Sequence, residues 1–248
     1  MSTASNAGRD RIPTALLNRR SFLAAATAAA GAALSGCTTM STPQPDMATP
    51  ARLLNQRFAG LYAAVPDERF PVPAIDVSKI DGKFLRQQVS YTTPERPGTI
   101  VIDPDSFFLY LVQEDGMAMR YGVGVGKEGF AWNGRAIIAR KAAWPTWTPT
   151  PNMIRREPDL AEYAGGMAPG LENPLGARAL YLHQNGRDTL YRIHGTNEPW
   201  SIGHALSSGC IRLFNQDIID LHNRIPNGTP VVVLPSRPQL MASSAQSS

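Results

Sequence analysis

The stretch RIHGTNEPWSIGHALSSGCIRL, residues 192–213, gathers two of the chain's four histidines and one of its two cysteines. Thiolate is the nucleophilic form of cysteine, and it forms where an imidazole takes the proton or a cation stands near. Gly209, just before Cys210, lets the backbone come close to a substrate. Backbone N–H groups around Gly209 and Cys210 would then hold the oxyanion of an attacked carbonyl. Arg212 lies two residues on and, in a strand, shares a face with Cys210. It could steady a thiolate or bind a substrate carboxylate.

The base should be a histidine. His222 falls on or near the apolar stripe of a helical stretch and reads as packed. His183 sits on an outer strand candidate, and His204 lies in a loop. His194 closes the run YRIH, and a strand end is a rigid place to hold a base. Gly195 permits a sharp turn and close approach of its own carbonyl. This placement favours His194 over His204. No C-x-x-C or H-E-x-x-H occurs, so the spacing of a metal site is missing. GVGVG at 122–126 lacks the phosphate-loop spacing and reads as a glycine-rich strand. Neither metal nor cofactor is expected.

The elements that must position these residues are mostly β. TIVIDPDSFFLYLVQEDGMAMRYGVGVG, from Thr99, reads as two β runs joined by Glu-Asp-Gly. Residues 136–144, 177–184, 188–195 and 229–235 are further strands, and Asn185-Gly186 marks a hairpin between two of them. Residues 215–225 read as a helix, capped by Asn215, with Ile218, Ile219, His222 and Ile225 on one stripe. The expected fold is mainly β, a sandwich or small barrel with one or two short helices. Residues 142–176 show little periodicity but contain Trp144 and Trp147. They read as the wall or lid of a site, or as a plain surface excursion.

The chain ends speak of compartment. Residues 18–37, NRRSFLAAATAAAGAALSGC, pair Arg19-Arg20 with an apolar run too short to span a bilayer. The pair resembles a twin-arginine export signal, and LSGC resembles a bacterial lipobox in which Cys37 is acylated. Residues 1–36 thus read as a signal. They carry three of the chain's four net positive charges, so the basic balance belongs to a removed segment and no nucleic acid is implied. With Cys37 lipidated, Cys210 is the remaining thiol, which suggests a reactive one. Residues 37–60 read as lipid attachment and tether, although Leu53, Leu54, Phe58 and Leu61 have helical spacing within 51–63. Residues 61–96 read as an irregular, proline-rich extension, and 236–248 as a polar tail. Thr38 stands where an aspartate would mark inner-membrane retention, which favours the outer membrane.

His194-Gly195-Thr196, Gly203, then Ser208-Gly209-Cys210-Ile211-Arg212-Leu213 and Asp217 resemble the signature of the YkuD-type L,D-transpeptidases, bacterial cell-wall enzymes with a mostly β catalytic domain. The resemblance covers about 97–235. It implies Cys210 as nucleophile, His194 as proton acceptor and donor, and the Gly195 carbonyl as the group orienting His194. Gly209 falls in the oxyanion region, while Arg212, Ser208 and Trp147 would line the substrate. Many members carry a histidine where this chain has Ser208. The implied donor is a peptidoglycan stem peptide. The acceptor would be a second stem, giving a 3–3 cross-link, a lysine of a wall-anchored protein, or water. Other readings are a hydrolase at the same site, a non-catalytic wall-binding lipoprotein on the same fold, and a cysteine peptidase of another kind.

Overall fold

The computed structural model describes residues 50–126, 132–206, 210–237 and 239–241. The export signal, Cys37, most of the tether, Ser208 and Gly209 lie outside the described residues, as do residues 242–248. Among the described residues, no helix is long and apolar enough to cross a membrane.

The chain enters through helix α1, Pro50–Leu61, where a short helix is expected. A strand β1, Gln87–Ser90, follows, then β2 at Ile100–Asp103, β3 at Phe108–Val112, β4 at Met117–Gly122 and β5 at Gly124–Gly126. Beyond them come β6, Gly134–Ala143, the short helix α2, Pro151–Arg156, then β7, Arg178–Gln184, and β8, Arg187–His194. The chain closes with β9, Ala205–Leu206, β10, Ile211–Arg212, helix α3, Asn215–Arg224, and β11, Pro230–Val233.

These strands form one eleven-stranded sheet in the order β1-β4-β3-β2-β11-β6-β7-β8-β10-β5-β9. Strands β4 and β5 lie near opposite ends of that order, yet only Val123 separates them in sequence. The sheet must therefore curl until its ends meet. Its concave side holds one apolar cluster drawn from both halves, with Ile100, Leu109, Val123, Ile138, Leu180, Ile193, Ile211 and Val231 all buried. Helix α3 closes this core with Ile218, Leu221 and Ile225. The mainly β expectation holds, and the barrel-like curl follows from the strand order.

Four local expectations change. The run from Thr99 is split into β2 and β3, because the Asp103 carboxylate accepts the N–H groups of Asp105 and Ser106 and turns the chain. The proline-rich extension is built into the fold: β1 pairs antiparallel with β4, and Val65 bridges Val72. Residues 142–176 hold short helical turns, and Asn173 pins them by donating to the carbonyls of Pro145, Met167 and Ala168. Asn215 does not cap α3; Phe214 occupies the cap position, and the Asn215 amide is used elsewhere.

Trp144 is likewise no cover for a substrate. It is buried against Val72, Ala177, Phe70 and Ile219, and its Nε1 donates to Glu68 at 2.8 Å. The same carboxylate takes two bonds from Arg178, at 2.9 and 2.5 Å. A paired, buried guanidinium thus ties the extension to the start of β7.

Candidate active site

Strand β10 runs parallel to β8, with Ile211 opposite Ile193 and Arg212 opposite His194. Both isoleucines face the buried core. Alternation then turns His194, Arg212, Arg192 and Cys210 to the other face of the sheet. Cys210 sits beside Arg192, one diagonal step from His194. From the far side, the Gly126 N–H of β5 donates to the Cys210 carbonyl at 3.1 Å. Cys210 is partly exposed, and its Sγ lies 3.7 Å from the Leu190 carbonyl. Leu190 has a positive φ of 64° and is 71% exposed, so the strand bulges beside the thiol.

His194 is buried, and its Nδ1 lies 2.6 Å from the Gly195 carbonyl. Nδ1–H donates there, which leaves the Nε2 lone pair for another proton. Burial pushes the imidazole from 6.5 down to about 4, the Arg212 charge adding to it while the Gly195 carbonyl opposes. Arg192 also lowers it, and the Pro174 carbonyl raises it. The ring is therefore neutral at neutral pH, the form a base requires. Gly195 lies in a tight slot: its N–H donates to Arg178, and an added Cβ would stand 2.3 Å from Asn215 Oδ1.

Arg212 Nη1 pairs with Glu198 Oε2 at 2.8 Å, with Arg212 mostly buried. This occupancy favours a role in building the pocket over capture of a carboxylate. Trp147 stands in the tethered segment, bonded through its backbone to Met167, its ring 6.2 Å from Tyr163. His222 lies on α3, its carbonyl accepting from Lys141. His183 is on β7 near the hairpin. His204 is exposed on the rim of a groove of about 890 Å³ between residues 72–84 and the loop after Gly195. Of the four histidines, His194 is the one beside Cys210 on a neighbouring strand. No cluster of His, Cys, Asp or Glu suited to a metal occurs among the described residues.

Two groups at the site escape a reading of sequence. Glu198 looks like an ordinary loop acid until the fold sets it on Arg212. Asn215 reads as a helix cap, although its partners lie 38 and 19 residues away.

A family model for the YkuD L,D-transpeptidase catalytic domain matches residues 97–233, more than half of the chain. The "Probable L,D-transpeptidase ErfK/SrfK" of Escherichia coli K12 is 36% identical over 153 residues, covering 60% of this chain and 48% of that protein. The "Probable L,D-transpeptidase YbiS" of the same strain is 34% identical over 150 residues, covering 59% and 47%. A solved Brucella melitensis protein, described as a probable carnitine operon oxidoreductase, is 49% identical, covering 64% of this chain and 99% of that one, with a TM-score of 0.45. That superposition carries no argument about activity. The matched chain spans about half the length of the two curated relatives. With His194 at the end of β8 and Ile211–Arg212 on the adjacent β10, both inside the matched segment, the chain belongs to the YkuD family of L,D-transpeptidase catalytic domains.

Proposed function

We propose that the chain is a cysteine-dependent L,D-transpeptidase of peptidoglycan. The observation that carries this reading is the buried His194, its Nδ1 2.6 Å from the Gly195 carbonyl, at the end of the strand that pairs with β10 next to Cys210.

The donor is a stem tetrapeptide, and the bond attacked is the amide between the diamino acid at position three and the terminal D-alanine. His194 Nε2 takes the Cys210 proton as sulfur bonds to the carbonyl carbon. Burial holds the imidazole neutral before attack, the form that takes up the thiol proton. Backbone N–H groups near Gly209 and Cys210 hold the oxyanion. The C–N bond then breaks, and His194 gives its proton to the departing D-alanine amine. A thioester remains and keeps the energy of the first amide, so no nucleotide or metal is required. An acceptor amine attacks it, His194 takes the amine proton, and the thiol is restored. Arg212, braced by Glu198, shapes the pocket, and the family resemblance assigns Ser208 and Trp147 to the substrate.

A second stem as acceptor gives a 3–3 cross-link; a lysine of a wall protein gives anchoring. The arginine pair and the lipobox-like LSGC support export with a lipid on Cys37, and Thr38 after it favours the outer membrane. Residues 37–60 form the tether and 97–235 the catalytic domain.

The test is mass spectrometry of the full chain's products with purified disaccharide-tetrapeptide and an amine acceptor. A 3–3 dimer that disappears in Cys210→Ala is expected. Tripeptide alone means the site hydrolyses. Turnover that persists in Cys210→Ala overturns the reading.

A further inference from the structure

Asn215 opens helix α3, but its side chain reaches away from the helix. Oδ1 accepts the Ala177 N–H at 2.9 Å, and Nδ2 donates to the Thr196 carbonyl at 3.0 Å. These two partners lie close in sequence to Gly195 and Pro174, the residues whose carbonyls act on the His194 ring. Gly195, whose carbonyl takes Nδ1, immediately precedes Thr196. Pro174, whose carbonyl also acts on the ring, lies three residues before Ala177. One amide therefore joins both segments.

Its slot is cut to size. A Cβ added at Gly176 or at Gly195 would stand 2.3 Å from Asn215 Oδ1 in either case. Gly176 also has φ +60°, a conformation that side chains rarely adopt. Two glycines thus make room for one amide. At its other end the same backbone is fixed by the Gly195 N–H, which donates to Arg178 at 3.0 Å. The Gly195 peptide is held on both sides, by β7 and by Asn215.

We propose that Asn215 is a positioning residue that fixes the tautomer of His194. The ring nitrogen that carries the proton is set by the bond the other nitrogen makes or lacks. If the Gly195 carbonyl swings away, Nδ1 loses the acceptor 2.6 Å away that holds its proton. A proton on Nε2 removes the lone pair that must receive the thiol proton. The proposal rests on His194 being the base, as read above.

The test records nitrogen NMR of the full chain with ring-labelled histidine, using His194→Gln to assign the signal. The wild-type ring is expected to be protonated at Nδ1 and bare at Nε2. A wild-type ring protonated at Nε2 overturns the proposal without any variant. In Asn215→Ala, Nε2 should gain the proton, and Cys210 acylation by a carbapenem should slow about a hundredfold. Asn215→Asp keeps an acceptor for Ala177 but loses the donor to Thr196, so it should behave alike. An unchanged tautomer in either folded variant, with acylation loss that tracks melting temperature, would leave Asn215 a structural residue only. If the tautomer moves as expected while the wild type makes no transpeptidation product, the positioning stands and the proposed reaction falls.

Discussion

At His194, burial and charge act together. The ring ordinarily titrates near 6.5 but is pushed to about 4, chiefly by burial. The folded state therefore binds fewer protons than the unfolded state between those values. Stability from this group is complete above about pH 6.5 and is lost as pH falls toward 4. Buried Asp217 works the other way, since burial lifts its carboxyl to about 7 against the pull of Arg86. Its contribution is present below about 3.8 and fades as pH rises to 7. Denaturant melts across pH 3.5–8 should separate the two. His194→Gln should remove stability lost on acidification, and Asp217→Asn should gain on the wild type as pH rises. An acid limb of kcat/KM near 4 is expected for the free enzyme, and a limb near 6.5 would mean that His194 is not buried as described. Gly195→Ala is expected to cost about 2 kcal/mol or more, because its Cβ would meet Asn215, and to abolish acylation.

At the scale of elements, the Glu68 carboxylate is the tie between the extension and β7. Removing it leaves Arg178 nearly dry and unpaired, so Glu68→Ala should lower stability by about 3–5 kcal/mol in urea titrations. Arginine pairing holds the Glu68 pKa below its usual value. The tie is therefore complete above about 4.5 and weakens as pH falls below it. Strand β11 was legible as a run of valines, β6, β7 and β8 as short stretches with apolar residues between turn signals, and Asn185-Gly186 announced the hairpin, with φ of 51° and 74°. Strand β1 was not, because Gln-Gln-Val-Ser holds a single apolar residue and pairs on one side alone. Strand β10 has two residues, too few for any periodicity. His194 and Cys210 could be found because each stands beside a glycine at a run's end. Their adjacency could not, since it depends on the parallel pairing of β8 with β10. The bonds of Asn173 and Asn215 span loops and leave no local pattern.

At the scale of the molecule, the family segment does not stand alone. Residues before 97 supply Tyr62, which donates to Asp217 at 2.9 Å, and Arg86, which pairs with Asp220 at 3.0 Å. Phe84 fills the space against Gly122 and Gly203, where a Cβ would clash at 2.4 and 2.3 Å. A chain trimmed to residues 97–248 should thus melt well below the full chain by circular dichroism, or fail to fold; an equal melting temperature would show the extension to be dispensable. The curl of the sheet carries one more consequence. Strand β5 contacts β10 some 85 residues further along, and β2 pairs with β11 across nearly the whole domain. Contacts so remote in sequence close slowly, after local hairpins have formed. The thiol and the imidazole are brought together by the short-range pairing of β8 with β10, but β5 covers Cys210 from the far side only at that late closure. Cys210 thus reaches its finished surroundings only when β5 has closed on β10, and its reactivity toward a slow alkylating agent would serve as a clock for the last step of folding.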